Sequence, residues 1–288
     1  QQRNWEEVAK ISVTDRQGII LEIFADRAQT HEANLQVELA RMEYFLPRLT
    51  SAWSHLSRQR GGRRGTRGEG ETQLEVDRRM VQQRIAAVKR ELAEVKSRRA
   101  VMRQQRSSSA APSGSIVGYT NAGKSSLLQA LTGAELGVAN KLFATLDPAT
   151  RRLELEGGQE VLLTDTVGFI RRLPHGLVEA FKSTLEETVV SSFLVHVLDA
   201  SDPAIHRHAG VTREVLEELG SAGKPTIVVL AKSDLVDRAS LDMLLLEFPQ
   251  AVCVSSRTGS GLDLLGRRIR EVVTHNYSRI VVSLPHDR

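Results

Sequence analysis

The sequence predicts an α/β domain, a mainly parallel sheet with helices on both faces, preceded by an antiparallel helical hairpin. Three observations carry this. From about residue 115 onward, apolar strand-like runs alternate with amphipathic stretches, the order that gives a parallel sheet covered on both sides. Before it, two long segments repeat apolar residues at spacings of four and three, the seam of packed helices. Between a strand-like Ser115-Ile116-Val117 and a helical Ser126–Leu131 lies the glycine-bearing loop Gly118-Tyr119-Thr120-Asn121-Ala122-Gly123-Lys124-Ser125.

Taken in order, residues 1–29 open with little pattern. The turn-like Asp15-Arg16-Gln17-Gly18 precedes Ile19–Phe24, which reads as a strand or a short apolar helix. The stretch is expected to be the remnant of a larger N-terminal α/β subdomain. Residues 30–106 form the expected hairpin. Its first seam is Leu35, Leu39, Met42, Leu46, Leu49, Trp53 and Leu56, with Pro47 breaking the helix locally. The second is Leu74, Val81, Ile85, Val88, Leu92, Val95 and Met102, with Arg78 and Arg99 at two interrupted positions. The joining loop, 58–70, holds five glycines and the five arginines Arg58, Arg60, Arg63, Arg64 and Arg67. Its glycines argue against helix, so the second helix is expected to start near a cap at Glu71 or Thr72.

Charge is placed as unevenly as glycine. Residues 1–57 carry six basic against eight acidic side chains, 58–106 fifteen against six, and 107–288 eighteen against 21. The excess positive charge lies in the hairpin. Linkers favour serine over clustered arginine, so a cationic tip on a stiff arm points to a polyanionic partner, RNA above all. Residues 107–114, small and polar with Pro112, read as a linker. The α/β domain is then expected over 115–275. It has strands at 115–118, 151–155, 161–165, 193–199, 226–231 and 251–255, and helices at 124–132, 177–189, 204–220, 240–247 and 262–274. Residues 276–288 remain as a tail. One cysteine, Cys253, excludes an internal disulfide and reads as a buried thiol. No apolar run reaches the length of a membrane span. His206-Arg207-His208 lacks further ligands nearby and reads as a solvated helix face.

The loop at 118–125 fits G-x-x-x-x-G-K-[ST], and the residue types follow from phosphate chemistry. Backbone N–H groups of Gly118, Tyr119, Thr120, Asn121, Ala122 and Gly123 close around an anion, and the glycines permit that approach. Lys124 meets the terminal phosphates, the Ser125 hydroxyl holds Mg²⁺, and the helix entered at Ser126 turns its positive end to the anion. The chain is therefore expected to bind a nucleoside triphosphate. Asp165-Thr166-Val167-Gly168 ends an apolar strand, where the carboxylate reaches the Mg²⁺ shell and the glycine N–H the γ-phosphate. Thr145, within Phe143-Ala144-Thr145-Leu146-Asp147-Pro148, stands where a switch threonine closes on Mg²⁺ and γ-phosphate. The metal ligands are thus Ser125, Thr145 and Asp165, and the groups acting on the reacting phosphate Lys124, Thr145, Gly168 and Asn121. Ala231-Lys232-Ser233-Asp234 resembles the N-K-x-D guanine-reading motif. Its aspartate accepts from guanine N1–H and the amino group, donors that adenine lacks as a pair. Ser255-Ser256-Arg257 resembles the S-A-K motif whose N–H meets guanine O6. Four signals in order, each at a strand end, point to a GTPase.

These motifs, with Gly65-Thr66-Arg67-Gly68-Glu69-Gly70-Glu71-Thr72-Gln73-Leu74-Glu75, Leu35–Ala40 and Leu173-Pro174-His175, strongly resemble the HflX family of ribosome-binding GTPases. The likeness covers nearly the whole chain. It implies a Ras-like P-loop GTPase domain behind the hairpin, a monomer, and a cytoplasmic home of bacterial type, with an organellar matrix as the alternative. It also implies binding to the large ribosomal subunit and its rRNA, with the hairpin loop near the peptidyl-transferase centre, and the splitting of stalled or idle 70S ribosomes under stress. A ribosome-assembly GTPase, or an RNA-binding scaffold with a vestigial nucleotide site, is the alternative. The chain departs from the family pattern at Glu69, where a proline is usual, and at Ala231, where the guanine motif has asparagine. Phe169 replaces the glutamine with which many GTPases orient water, a replacement shared with the family, so hydrolysis is expected to be slow alone. Asn121 resembles the asparagine that helps hold K⁺ in several such enzymes, or it only braces the loop.

Overall fold

The computed structural model describes residues 2–9, 11, 13–48, 67–107, 111–133, 143, 145–146, 148–170 and 187–274. Arg58, Arg60, Arg63, Arg64, Ala144, Asp147, the expected helix up to residue 186, Leu173–His175 and the tail lie outside them. The chain divides into two compact units. One comprises Gln1–Ala110 with Val138–Ala149 and Thr166–Glu187; the other comprises Ala111–Gly137, Thr150–Asp165 and Thr188–Arg288.

The described residues of the first unit include the helices α1 (Gln2–Ala9), α2 (Arg16–Arg27), α3 (His31–Phe45) and α4 (Arg67–Ser107). The strand alternative for Ile19–Phe24 is thereby settled against. The segment is the buried face of α2, with Ile20, Leu21 and Phe24 in the core. Asp15 caps α2 by accepting from Gly18 N–H at 2.9 Å, and Thr30 caps α3 by accepting from Ala33 N–H at 3.1 Å. Asp15 also accepts from the Tyr44 hydroxyl at 2.7 Å and from Arg48 at 2.9 Å, so one carboxylate ties the start of α2 to the end of α3. Its burial favours the neutral acid, yet the bonds from Gly18, Tyr44 and Arg48 outweigh that and hold its pKa below the ordinary carboxylate value. Pro47 sits in a single 3₁₀ turn, Leu46–Arg48, that ends α3. Leu35 and Leu39 of α3 pack with Val88 and Leu92 of α4, with Met42 and Ile85 alongside. Flanking pairs join Glu38 to Arg84 at 2.8 Å and Glu43 to Lys89 at 2.8 Å. The helix α4 begins at Arg67, earlier than its glycines suggest, and takes in Gly68 and Gly70.

The second unit holds β1 (Ser113–Gly118), α5 (Lys124–Thr132), β2 (Ala149–Leu155), β3 (Gln159–Asp165), β4 (Phe193–Asp199), α6 (Ile205–Glu218), β5 (Thr226–Ala231), α7 (Arg238–Glu247), β6 (Val252–Cys253) and α8 (Leu262–Thr274). The strand order is β2-β3-β1-β4-β5-β6. Strands β1, β3, β4, β5 and β6 pair in parallel. β2 and β3 are neighbours joined by a three-residue turn, which only an antiparallel pair allows. β1 starts two residues before the expected boundary at 115, because Ser113 and Gly114 already pair with β3. Gly114 is needed there, since a Cβ would lie 2.3 Å from the Phe193 ring. The core beneath the sheet collects Ile116, Leu127, Leu128, Leu163, Val195, Val229, Leu265 and Ile269. Cys253 is half-buried rather than buried, and burial with the charge of Asp242 nearby raises its thiol pKa. Among the described residues no helix is long and apolar enough to cross a membrane.

Candidate functional site

β1 lies at the centre of the sheet, with β3 on one side and β4 on the other. Crossovers leave it in both directions, so its carboxyl end is the crevice where such sheets bind ligands. The loop 119–123 emerges there. Gly118 has φ 152°, and a Cβ would meet the Val197 carbonyl oxygen at 2.3 Å, so only glycine fits. Asn121 (φ 61°) and Gly123 (φ 99°) are left-handed, and Gly123 is the N-cap of α5. A glycine N-cap places no side-chain oxygen on the first turn of α5, and a helix N-terminus favours an anion. Tyr119, half-buried, stacks on His208 with ring centroids 3.7 Å apart, and His208 meets Asp202 at 3.1 Å. His208 thus braces the phosphate loop; only His206 of the pair is exposed, where it meets Glu247.

Lys124 is buried, and its ammonium donates to the carbonyls of Gly118 at 3.2 Å and Tyr119 at 2.9 Å. Burial lowers its pKa to about 8, with the Asp165 carboxylate opposing that shift. The Ser125 hydroxyl donates to Asp165 Oδ2 at 2.5 Å, and Asp165 is only 1% exposed at the end of β3. A hydroxyl and a buried carboxylate in contact beside an anion site are hard oxygen ligands, the set that suits Mg²⁺. Ser125 and Asp165 would hold that ion, which when bound offsets the charge of the phosphates.

The residues expected to read a base are also held in place. Lys232 is left-handed at φ 57°, a conformation that costs about 1–2 kcal/mol for a side-chain-bearing residue. Its ammonium donates to Asp199 Oδ2 at 2.6 Å. Asp234 Oδ1 accepts from the Ser255 hydroxyl at 2.6 Å, and that hydroxyl accepts from Thr258 N–H at 3.2 Å. Ser233 N–H donates to the Val254 carbonyl at 3.2 Å, joining the two loops through backbone. Ala231 is buried, Ser256 half-buried and Arg257 exposed. Two functional contacts escaped the sequence reading: the Asp199–Lys232 pair and the Ser255–Asp234 bond. The signal for the first was an aspartate ending β4 at the register position of Ala231.

Thr145, Thr166, Val167 and Gly168 belong to the helical unit. Phe143, Leu146 and Val167, with Ile170 alongside, share a core with Ile20, Leu21, Phe24, Ala33, Val37, Ala40 and Tyr44. Phe143 meets Phe24 edge to face at a centroid distance of 4.6 Å. Phe169 is fully buried, so its ring is not presented to water.

Residues 27–106 match the family described as GTP-binding GTPase Middle Region, and residues 114–232 the one described as 50S ribosome-binding GTPase. The chain is 51% identical to GTPase HflX of Akkermansia muciniphila over its whole length and 69% of that protein's. The chain belongs to the HflX family of GTPases. To the HflX of Escherichia coli it is 43% identical, over 99% of this chain and 67% of that protein. It spans 62% of the HflX of Lacrimispora saccharolytica, at 51% identity. Among solved structures, a GTP-binding protein from Sulfolobus solfataricus in complex with GDP superposes with a TM-score of 0.57 at 29% identity. It covers 91% of this chain and 73% of that one. As an HflX-family GTPase the chain hydrolyses GTP.

Proposed function

We propose that this chain is a GTP-driven switch that binds the large ribosomal subunit and splits or rescues stalled or idle ribosomes under stress. One observation carries the reading. The segments around Thr145 and Gly168, where GTPases sense the γ-phosphate, contribute Phe143, Leu146 and Val167 to the core of the helical unit. A close-packed core does not yield continuously to displacement. Any nucleotide-dependent movement of these segments must therefore repack α2 and α3, and through them the hairpin. The arginines at 58, 60, 63, 64 and 67 supply the contact with rRNA phosphates. Asn121, exposed and left-handed in the phosphate loop, holds K⁺ beside the nucleotide. The protein acts as a cytoplasmic monomer, and the ribosome accelerates its hydrolysis.

Filter binding to purified 50S and 70S particles, with a non-hydrolysable GTP analogue against GDP, tests this. Tighter binding to 50S with the analogue is expected, with ribosome-stimulated GTP turnover. Equal binding with both nucleotides, or none, would overturn the proposal.

A further inference from the structure

We propose that Asp199 is a positioning residue for guanine recognition: its carboxylate latches Lys232 and replaces the tie that Ala231 cannot make. The inference rests on the GTPase reading of this site. Asp199 ends β4 directly across from Ala231, the last residue of β5. Its Oδ2 accepts from Lys232 Nζ at 2.6 Å, while Oδ1 accepts from Ser201 N–H at 3.0 Å and from the Ser201 hydroxyl at 2.6 Å. Both oxygens are engaged, which fixes the carboxylate in one orientation. The backbone beneath is fixed too, with Ala200 N–H donating to the Ala231 carbonyl at 2.9 Å.

Lys232 leaves the strand end in a left-handed conformation, and its stem is the surface available to cover a base plane. A free lysine there would sample many rotamers, and ordering it on binding would lose affinity. The ion pair removes that freedom beforehand. With side chains 31% and 16% exposed, the pair is only partly screened by solvent. On the other flank, a Cβ built on Gly123 would lie 3.9 Å from the Ala231 methyl. That is where an asparagine at 231 would reach the phosphate loop, and the methyl makes no hydrogen bond. The base-reading loop is therefore held from β4 by Asp199 and from the loop after β6 by Ser255 on Asp234.

The test is titration of fluorescent GDP, with steady-state GTP hydrolysis, on Asp199→Asn, Asp199→Ala, Ser201→Ala and the double variant Asp199→Ala/Ala231→Asn. Both Asp199 variants should lose about tenfold in GDP affinity, about 1.4 kcal/mol. KM should rise in parallel while kcat stays within about twofold, because the phosphate end is untouched. Ser201→Ala should change little. Asparagine at 231 should recover most of the loss in the Asp199→Ala background and gain less in the unaltered protein, a non-additive cycle. Unchanged GDP affinity in both Asp199 variants overturns the latch. So does a loss that asparagine at 231 fails to recover at unaltered melting temperature, or a fall in kcat with KM unmoved. If Asp199→Ala fails to fold, the near-isosteric Asp199→Asn decides on affinity and KM alone. ATP binding as tight as GTP binding in the unaltered protein would instead remove the guanine reading on which the latch depends.

Discussion

Lys124 shows how one residue couples fold to function. Its ammonium is buried and donates to two backbone carbonyls. Its folded pKa of about 8 lies below the ordinary lysine value of 10.5. Below about pH 8 both folded and unfolded chains carry the proton, and the full cost of burying the charge is present. Between about pH 8 and 10.5 the unfolded chain binds more protons, so this group's unfavourable contribution is relieved as pH rises. Approaching phosphates reverse the burial effect and raise the pKa. GDP binding at about pH 8.5 is therefore expected to take up protons, fading at about pH 7 where Lys124 is already charged. Calorimetry in buffers of different ionisation enthalpy measures this, and uptake that does not fade would assign it to another group. At Ala231 the missing asparagine costs one neutral hydrogen bond, roughly 0.5–1.5 kcal/mol. Ala231→Asn should tighten GDP and GTP binding several-fold and leave the preference over ATP unchanged, since Asp234 keeps its place on Ser255. Fluorescent nucleotide titration decides it; GDP and GTP binding no tighter in the variant would mean that another side chain has taken the missing contact.

At the scale of elements, the phosphate loop, the strand-end aspartate and the base-reading loop were legible because each is a local motif whose spacing is set by its chemistry. The hairpin seam was legible for the same reason, through Leu35, Leu39, Val88 and Leu92. What stayed hidden depends on who touches whom. Ile19–Phe24 has a length and composition that strand and helix share, and only packing against Val37 and Phe143 decides for helix. The start of α4 was misplaced because Gly68 and Gly70 each cost about 1 kcal/mol in a helix relative to alanine, yet the helix runs through them. Asp199 stayed unnoticed because its partner lies 33 residues away, on the neighbouring strand's end. The arginine-rich stretch that leads into α4 in sequence and includes its first residue, Arg67, carries the strongest element-scale expectation. Replacing Arg63, Arg64 and Arg67 with alanine should weaken ribosome binding. The slope of log K against log salt should shrink by about two to three, since each lost phosphate contact releases fewer counterions. GTP turnover without ribosomes should not change. Ribosome affinity that is insensitive to the three substitutions at physiological salt would reduce the loop to a connector.

Across the whole molecule, the segment around Thr145 and the one after Asp165 are sequence neighbours of the phosphate-binding unit but core components of the helical one. In the proposed switch, coupling between nucleotide and ribosome would need no separate lever, because the segments expected to sense the γ-phosphate are themselves part of the core that must repack. Phe24 is the residue on which this depends most directly, fully buried and edge to face with Phe143. Phe24→Ala would remove roughly 3–5 kcal/mol from a unit of modest size, so Phe24→Leu is the better probe: it keeps an apolar side chain but loses the ring contact. The ratio of 50S affinities with GTP analogue and with GDP should fall toward one, from a starting coupling of order 5–150-fold typical of allosteric pairs. GDP affinity of the isolated protein should change little, because none of its binding residues is altered. Ile269→Val, in the core of the other unit, controls for simple loss of stability and should leave the ratio intact. A ratio unaffected by Phe24→Leu, with a measurable drop in melting temperature, would show that the helices follow the nucleotide by some route other than this shared core.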